Sequence, residues 1–394
     1  MWQHAAFFLM VNNQLPLPFP TTTPLKIWVL APTVPHTDEN IHYYYDFTQS
    51  IAEYEKVFSF LQLPWKWQEV TMLDVGQVIG QIAEERAAGE VLPVILNLCD
   101  GDEINGSPGI SVLALLNEKN LLYTGSEPRF YKLTTSKIDM KRAFDKAGVA
   151  TPSWSIVEEA ASDGHQLFSQ LGSPLIVKPA ISGGSMGVGT RNVVDNAADL
   201  GKLLQVLTNG YRGWDLLAGG LIAESFIEGP EYTCFLTGDY RYPKGARIYQ
   251  PVERVFHPSL PDREKFLSFD RLWEIYEEES AMPEEENFYE YASVKDPALC
   301  DAIKTLSWKA YTALEGTGYT RVDIRQDRQS GQLYVLEANA QCGISEDENF
   351  TSIGAILRME GCSFTELIGS LINDALSRPH IYTMAGAQAV TTHE

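Results

Sequence analysis

The stretch Gly318–Gly343, GYTRVDIRQDRQSGQLYVLEANAQCG, holds two apolar runs joined by a polar turn, and it predicts a strand ladder over Tyr319–Arg325 and Gln332–Glu337. Asp323 lies between Val322 and Ile324, and Glu337 closes the run Leu333–Leu336, so both carboxylates leave buried strand ends. Such burial is costly unless cations offset it. Asn339, two residues past Glu337, projects from the same strand face. Two carboxylates and an amide oxygen form a hard, all-oxygen donor set of the kind Mg²⁺ takes, and without a histidine zinc is not expected. Arg321 shares the face of Asp323, so an internal salt bridge is the competing account of the cluster.

Upstream, Pro174–Gly189 (PLIVKPAISGGSMGVG) puts Lys178 at the end of an apolar strand and a glycine-rich turn directly after it. Backbone amides of such a turn can approach phosphate oxygens while the lysine adds a point charge; plain turns share the composition, and the P-loop pattern is absent. Ala223–Thr233 (AESFIEGPEYT) places Glu224 on a strand and Glu231 past a Gly-Pro turn, either beside a nucleotide cleft or as solvated acids on an edge strand. Ser136–Ala147 predicts a Ser-capped helix with a cationic face, closed by Gly148. A further strand is expected at Trp154–Val157 and helices at Ala160–Leu171, Pro297–Leu314 and Phe364–Leu376. Nearer the N-terminus, strands at Lys26–Leu30 and Val94–Leu98 alternate with helical spacing over Asp46–Leu61 and Val75–Ala88, which predicts a parallel sheet. The loop Cys99–Gly109 follows the second of these strands, where open α/β sheets hold ligands, although its Gly, Asn and Pro content equally suits a bare turn.

The chain has 394 residues, 44% hydrophobic and 21% charged, with no apolar run long enough to cross a membrane, so a soluble protein of two or three α/β units is expected. The net charge of −22 argues against a nucleic-acid-binding surface, which needs clustered Lys and Arg, but leaves a local nucleotide site open. Much of the acidic excess falls in Trp273–Glu290, expected as a solvated loop or helix face. Cys99, Cys234, Cys300, Cys342 and Cys362 are widely spaced and lack CxxC pairing, which fits a reducing cytoplasm. Met1–Thr23 lacks the basic start and cleavage pattern of a secretory signal and reads as a loose extension.

Taken in order, these motifs resemble those of ATP-grasp enzymes, in particular the D-alanine D-alanine ligase branch, with similarity from about Val94 to Leu376. The resemblance implies an α/β fold, α+β in its C-terminal part, in which an N-terminal parallel α/β domain helps hold the first substrate and two subdomains grip ATP. It divides the chain into an extension 1–24, a substrate-side domain 25–135, a central subdomain 136–220, a catalytic subdomain 221–378 with an acidic insertion 254–290, and a tail 379–394. Lys137 and Lys178 then contact phosphates beneath a loop of Gly183, Gly184, Ser185 and Met186, while Glu224 opens the adenine-contacting segment and Glu231 meets the ribose. Asp323, Glu337 and Asn339 bind one or two Mg²⁺ ions, replaceable by Mn²⁺, and Arg321 with Lys178 acts on the reacting acyl and phosphoryl groups. The implied activity is ATP-driven ligation of a small carboxylate to an amine through an acylphosphate, in the cytoplasm, with a homodimer left open and no nucleic-acid or membrane partner.

Two departures from the branch shape the substrate expectation. D-alanine D-alanine ligases carry Gly-Gly-x-Ser-x-Glu after the first strand, its glutamate meeting the first substrate's amino group, whereas this chain has APTVPHTDENIHYYYDF there. His42 and Tyr45, with Asp102 from the next ligand loop, become the candidate first-substrate residues. After Asn339 the usual Thr-x-Pro-Gly-Met-Thr run is replaced by Ala340–Ser345 and then Glu346-Asp347-Glu348, so Gly343, Ser345 and Glu346 become candidates for the second substrate, with acids that would repel a carboxylate. A small amino-acid-like substrate other than D-alanine is therefore expected. The alternatives are D-alanine itself, a phosphotransferase or an acylphosphate ligase with a non-amine acceptor, and a nucleotide-binding regulator.

Overall fold

The computed structural model describes residues 23–157, 164–208, 210–277, 279–282 and 286–378. Nearly all of the expected extension, the tail 379–394 and the start of the helix expected from Ala160 lie outside the described residues.

Strands β1 (Leu25–Pro32), β2 (Trp65–Val70), β3 (Leu92–Asn97) and β4 (Leu122–Tyr123) form the expected parallel sheet, in the order β2-β1-β3-β4. Alternate side chains serve opposite faces, as the two-residue period of a strand dictates. Ile27, Val29, Val94 and Leu96 pack with Tyr54, Val57 and Phe58 of helix Thr48–Leu61 and with Leu367 and Leu371 of helix Phe364–Ser377. Trp28, Leu30 and Ile95 pack instead with helices Val75–Ala88 and Ile110–Glu118. Helices on both faces explain why β1 and β3 are nearly continuous apolar runs. The polar, alternating WKWQEV of β2 gave no such signal, because it is an edge strand.

Two antiparallel sheets follow. β5 (Trp154–Val157), β6 (Leu175–Pro179), β7 (Val193–Val194) and β8 (Leu221–Ser225) form one in the order β5-β8-β6-β7, covered by helices Gly164–Leu171 and Ala197–Thr208 through Leu167, Leu200, Leu203 and Leu207. The other contains β9 (Glu231–Asp239), β10 (Arg247–Ile248), β11 (Val252–Phe256), β12 (Tyr289–Ser293), β13 (Thr317–Gln326) and β14 (Leu333–Ala340), in the order β12-β11-β9-β13-β14 with β10 paired to β9. Helices Lys137–Ala147 and Pro297–Ala313 cover its one face through Met140, Phe144, Ile303 and Ala310. Its other face contributes Phe235, Tyr249 and Tyr319 to the core of β1 and β3, so helix Phe364–Ser377 shares a core with two sheets.

The insertion expected at 254–290 starts and ends inside paired strands, with Arg254 opposite Tyr291 and Phe256 opposite Tyr289. The excursion proper is thus 257–288, an elongated hairpin connection. Among the described residues no helix is long and apolar enough to cross a membrane.

Leu371 is 2% exposed within the shared core. Leu371→Ala should lower the unfolding free energy by about 2–5 kcal/mol, measured by urea denaturation.

Candidate active site

β13 and β14 set Asp323 directly opposite Glu337 and Arg321 opposite Asn339. The register shifts after Asp323, where Ile324 pairs with Val335, so Leu336 is an extra residue and the bulge falls beside Glu337. Arg321 Nε donates to Asp323 Oδ2 at 3.0 Å, and Thr233 Oγ1, from the neighbouring β9, donates to Asp323 Oδ1 at 2.8 Å. Asn339 Nδ2 donates to Asp323 Oδ2 at 3.3 Å and to Glu337 Oε1 at 3.2 Å. The internal salt bridge and the clustered oxygen donors therefore coexist.

Burial, against the pull of Arg321, raises the Asp323 carboxyl above its ordinary range, and Glu337 adds to the rise. Burial acts the same way on Glu337, but Lys137, Lys178 and Arg321 outweigh it and hold that carboxyl low. The positive edge of the Asn339 amide sits between two acids, a position that suits a cation. A half-turn of this amide exchanges its nitrogen for its oxygen and brings a third oxygen beside the carboxylates. Among the described residues no cluster of three or more His, Cys, Asp or Glu side chains gathers to hold a metal ion, so the donor set here is two carboxylates with one amide. Two carboxylates and an amide fit Mg²⁺, which keeps part of its water shell and binds through few protein ligands.

The cationic side is built from two elements. Lys178 lies on β6, and Lys137 opens helix Lys137–Ala147, which Ser136 caps by accepting from the Asp139 amide at 3.3 Å. Lys137 Nζ donates to the Ser182 carbonyl at 3.1 Å, at the root of the glycine-rich loop. Behind them lies a buried ion triad in which Glu224 on β8 pairs through Oε1 with Lys141 and through Oε2 with Lys178, the latter at 2.5 Å. Burial favours the neutral acid, yet the two lysines prevail and pull the Glu224 carboxyl down to about 2. Burial in turn lowers Lys141 and Lys137. Glu224, expected beside adenine, thus engages both oxygens with lysines. Lys141 carried no motif, although it stands four residues after Lys137 on the cationic helix face, a spacing that marks neighbours.

The glycine-rich loop is capped. Gly184 and Ser185 adopt left-handed φ of 54° and 57°, and a Cβ on Gly184 would stand 3.2 Å from the Trp273 ring. Trp273 Nε1 donates to the Gly184 carbonyl at 3.0 Å, Ser185 Oγ to the Leu267 carbonyl at 3.0 Å, and the Phe269 amide to the Val188 carbonyl at 2.8 Å. The Thr190 amide donates to Glu279 Oε1 at 2.8 Å. Glu279 is buried and paired with Arg271 at 3.1 Å, so this part of the acidic segment, expected as a solvated face, is packed beside the glycine-rich loop.

Glu231 opens β9 and is clasped by Arg254 of β11 and by Arg325 of β13, the latter at 2.9 Å, with all three buried. Each of its oxygens faces one guanidinium and keeps a further acceptor site. Arg325 was legible as the next member of the alternating Arg321-Asp323-Arg325 face; Arg254 carried no local signal.

On the N-terminal side, Asp102 Oδ1 accepts from the amides of Ile104 and Asn105 at 2.9 and 3.4 Å, and its charge acts on Lys137. Tyr45 donates to Ser107 Oγ at 3.1 Å, tying the segment after β1 to this loop. His42 is exposed on the short helix Ile41–Tyr44, and Gly343 is exposed after β14. The acidic run does not stand as a repulsive wall. Ser345 Oγ donates to the buried Glu53 at 2.7 Å, the Glu346 amide donates to Glu53 at 3.2 Å, and the exposed Glu346 carboxylate pairs with Lys56 at 2.6 Å. Lys56 of helix Thr48–Leu61 thus offsets Glu346, and Arg358 faces Glu348 at 3.4 Å, so part of the run's charge is paired.

A family model described as D-ala D-ala ligase C-terminus matches residues 143–373. The D-alanine--D-alanine ligase of Maridesulfovibrio salexigens is 28% identical over 272 residues, 68% of this chain and 78% of that protein. That of Xanthomonas axonopodis pv. citri is 29% identical over 284 residues, 72% of this chain and 78% of its own length. The crystal structure of the D-alanine--D-alanine ligase from Bacillus anthracis complexed with ATP superposes with a TM-score of 0.60 over 89% of this chain and 97% of its own; at 18% identity that likeness concerns the ATP-grasp fold. These relatives overturn the expectation of a substrate other than D-alanine, which rested on rewritten loops and on a charge that proves to be partly paired. The enzyme is an ATP- and Mg²⁺-dependent ligase that forms C–N bonds. With its β13–β14 cluster, its lysines and its glycine-rich loop in this arrangement, the chain belongs to the D-ala D-ala ligase C-terminus family.

Proposed function

We propose that this chain joins two D-alanine molecules at the cost of one ATP. The ATP-driven part is supported by electrostatics, since Glu337, bonded to Asn339 in the oxygen cluster, also feels both Lys137 and Lys178, which suits a site where metal and triphosphate meet; the D-alanine part is supported by relatives named D-alanine--D-alanine ligase. Mg²⁺ held by Asp323, Glu337 and Asn339 would neutralise phosphate charge. Lys137, Lys178 and the amides around Gly183, Gly184, Ser185 and Met186 orient the triphosphate. The carboxylate of one D-alanine attacks the γ-phosphorus, releasing ADP and leaving an acylphosphate. The free amine of the second attacks the acyl carbon and the C–N bond forms; the bond between that carbon and the phosphate's bridging oxygen breaks, its electron pair leaving with phosphate, and the amine proton passes to solvent. Arg321 stabilises the oxyanion of that addition, a role in which one donor contributes about 10²–10³-fold in rate.

Tyr45 and Asp102 belong to the first-substrate side in this reading, and Gly343 and Ser345 to the second. Trp273 and its neighbours in 257–288 shield the acylphosphate from water. A cytoplasmic location fits the ATP supply and the five free thiols; assembly as a homodimer is read by sedimentation equilibrium.

Mixing the enzyme with ATP, Mg²⁺ and D-alanine should release phosphate and D-alanyl-D-alanine together. Phosphate release with other amino acids but none with D-alanine would sink the reading. Glu337→Gln should lose at least about 10²-fold of that release with an unchanged melting temperature, and a fully active variant would refute the metal assignment. Trp273→Ala should increase the share of ATP hydrolysed without dipeptide, measured as the ratio of phosphate to product.

A further inference from the structure

Lys141 is fully buried at 0% exposure, out of reach of any bound ligand, yet it is ionically joined to the cleft. Its ammonium pairs with Glu224 Oε1 and donates to Thr151 Oγ1 at 2.5 Å, and Thr151 Oγ1 in turn donates to the Val335 carbonyl at 2.8 Å. Val335 lies on β14, two residues before Glu337. Glu224 lies on β8, whose neighbour β6 carries Lys178. One ammonium therefore ties the strand of the oxygen cluster to the strand pair of the phosphate lysine.

The charge balance gives this link a further consequence. One carboxylate is shared by two ammonium groups, so the triad carries a net positive charge, and Lys178, whose side chain is 15% exposed, is its only member open to the cleft. Without Lys141, Glu224 would have Lys178 as its sole partner, and in a low-dielectric site that pair would be held tightly.

We propose that Lys141 is a positioning residue for nucleotide binding: by sharing the Glu224 carboxylate it weakens that acid's hold on Lys178, whose ammonium can then turn to the triphosphate, and through Thr151 it holds Lys178 in register with Glu337. The inference rests on the ATP-binding part of the function proposed above and does not depend on D-alanine as the substrate.

The test compares wild type, Lys141→Met, Glu224→Gln and the double variant for the Kd of an unhydrolysable ATP analogue with Mg²⁺, by calorimetry on the full chain, with melting temperatures alongside. Lys141→Met should weaken binding by about tenfold or more, the scale of one charge-assisted hydrogen bond. The double variant should recover most of that loss, because neutralising Glu224 releases Lys178 again; a merely structural role predicts instead that the loss and its recovery follow the melting temperature, with no change in Kd in folded Lys141→Met protein. Should Lys141→Met fail to fold, the double variant, with its charges rebalanced, remains the decisive sample: tight binding supports the proposal. A folded double variant that binds weakly, or a Lys141→Met protein that binds as wild type does, overturns it. Wild type that shows this binding pattern without D-alanine-dependent turnover would discard the substrate reading alone, whereas normal turnover without recovery would discard the role of Lys141 alone.

Discussion

Two carboxylates placed opposite each other on paired, mostly buried strands cannot stand unless cations face them, and the cleft is organised around that requirement. Asp323 and Glu337 are met by Arg321 on the same strand face, by Lys137 from the start of helix Lys137–Ala147 and by Lys178 from β6 of the other antiparallel sheet. The same cations that offset the acids are the groups suited to triphosphate oxygens. A third acid, Glu224, engages Lys178 with one oxygen and Lys141, buried behind it, with the other. Opposite charges alternate from β13 through the lysines to β8, which gives the two antiparallel sheets a shared electrostatic seam.

The excursion between β11 and β12 adds shielding to this seam. Its contacts with the loop are mainly to backbone groups of residues 184–190, so it recognises the loop's shape more than its side chains. The segment after β1 joins in from the parallel sheet: Asp38 accepts from Arg212 at 3.1 Å and from Trp214 at 2.9 Å, and Tyr44 packs edge-on to Trp273 at 5.0 Å. Residues 33–45, which differ from the family pattern, thus help brace the central subdomain and its cap. Their altered sequence has a structural account that does not require a different substrate.

Local pattern exposed much of this architecture. The parallel sheet, the capped helix at Lys137–Ala147 and the β13–β14 ladder follow from periodicity, capping and alternation within short windows. The oxygen cluster was legible because its members lie on two adjacent strands joined by a short turn, where spacing alone sets the face. What escaped were partnerships across long separations: Lys141 with Glu224, Arg254 and Arg325 with Glu231, and Trp273 with Gly184. The acidic run at Glu346 misled for the same reason, since its partner Lys56 comes from a helix near the other end of the chain.

The sequence by itself determined which carboxylates, lysines and glycines share a strand face, a helix turn or a loop, because strand alternation, helix caps and glycine turns are properties of neighbouring residues. Tertiary structure alone decided which charges are available to a ligand. Glu224, Glu231 and Glu346 look equivalent as free acids in the sequence, yet each is committed to cations that only folding brings near. Coulomb energy depends on distance in space, and sequence separation carries almost no information about it.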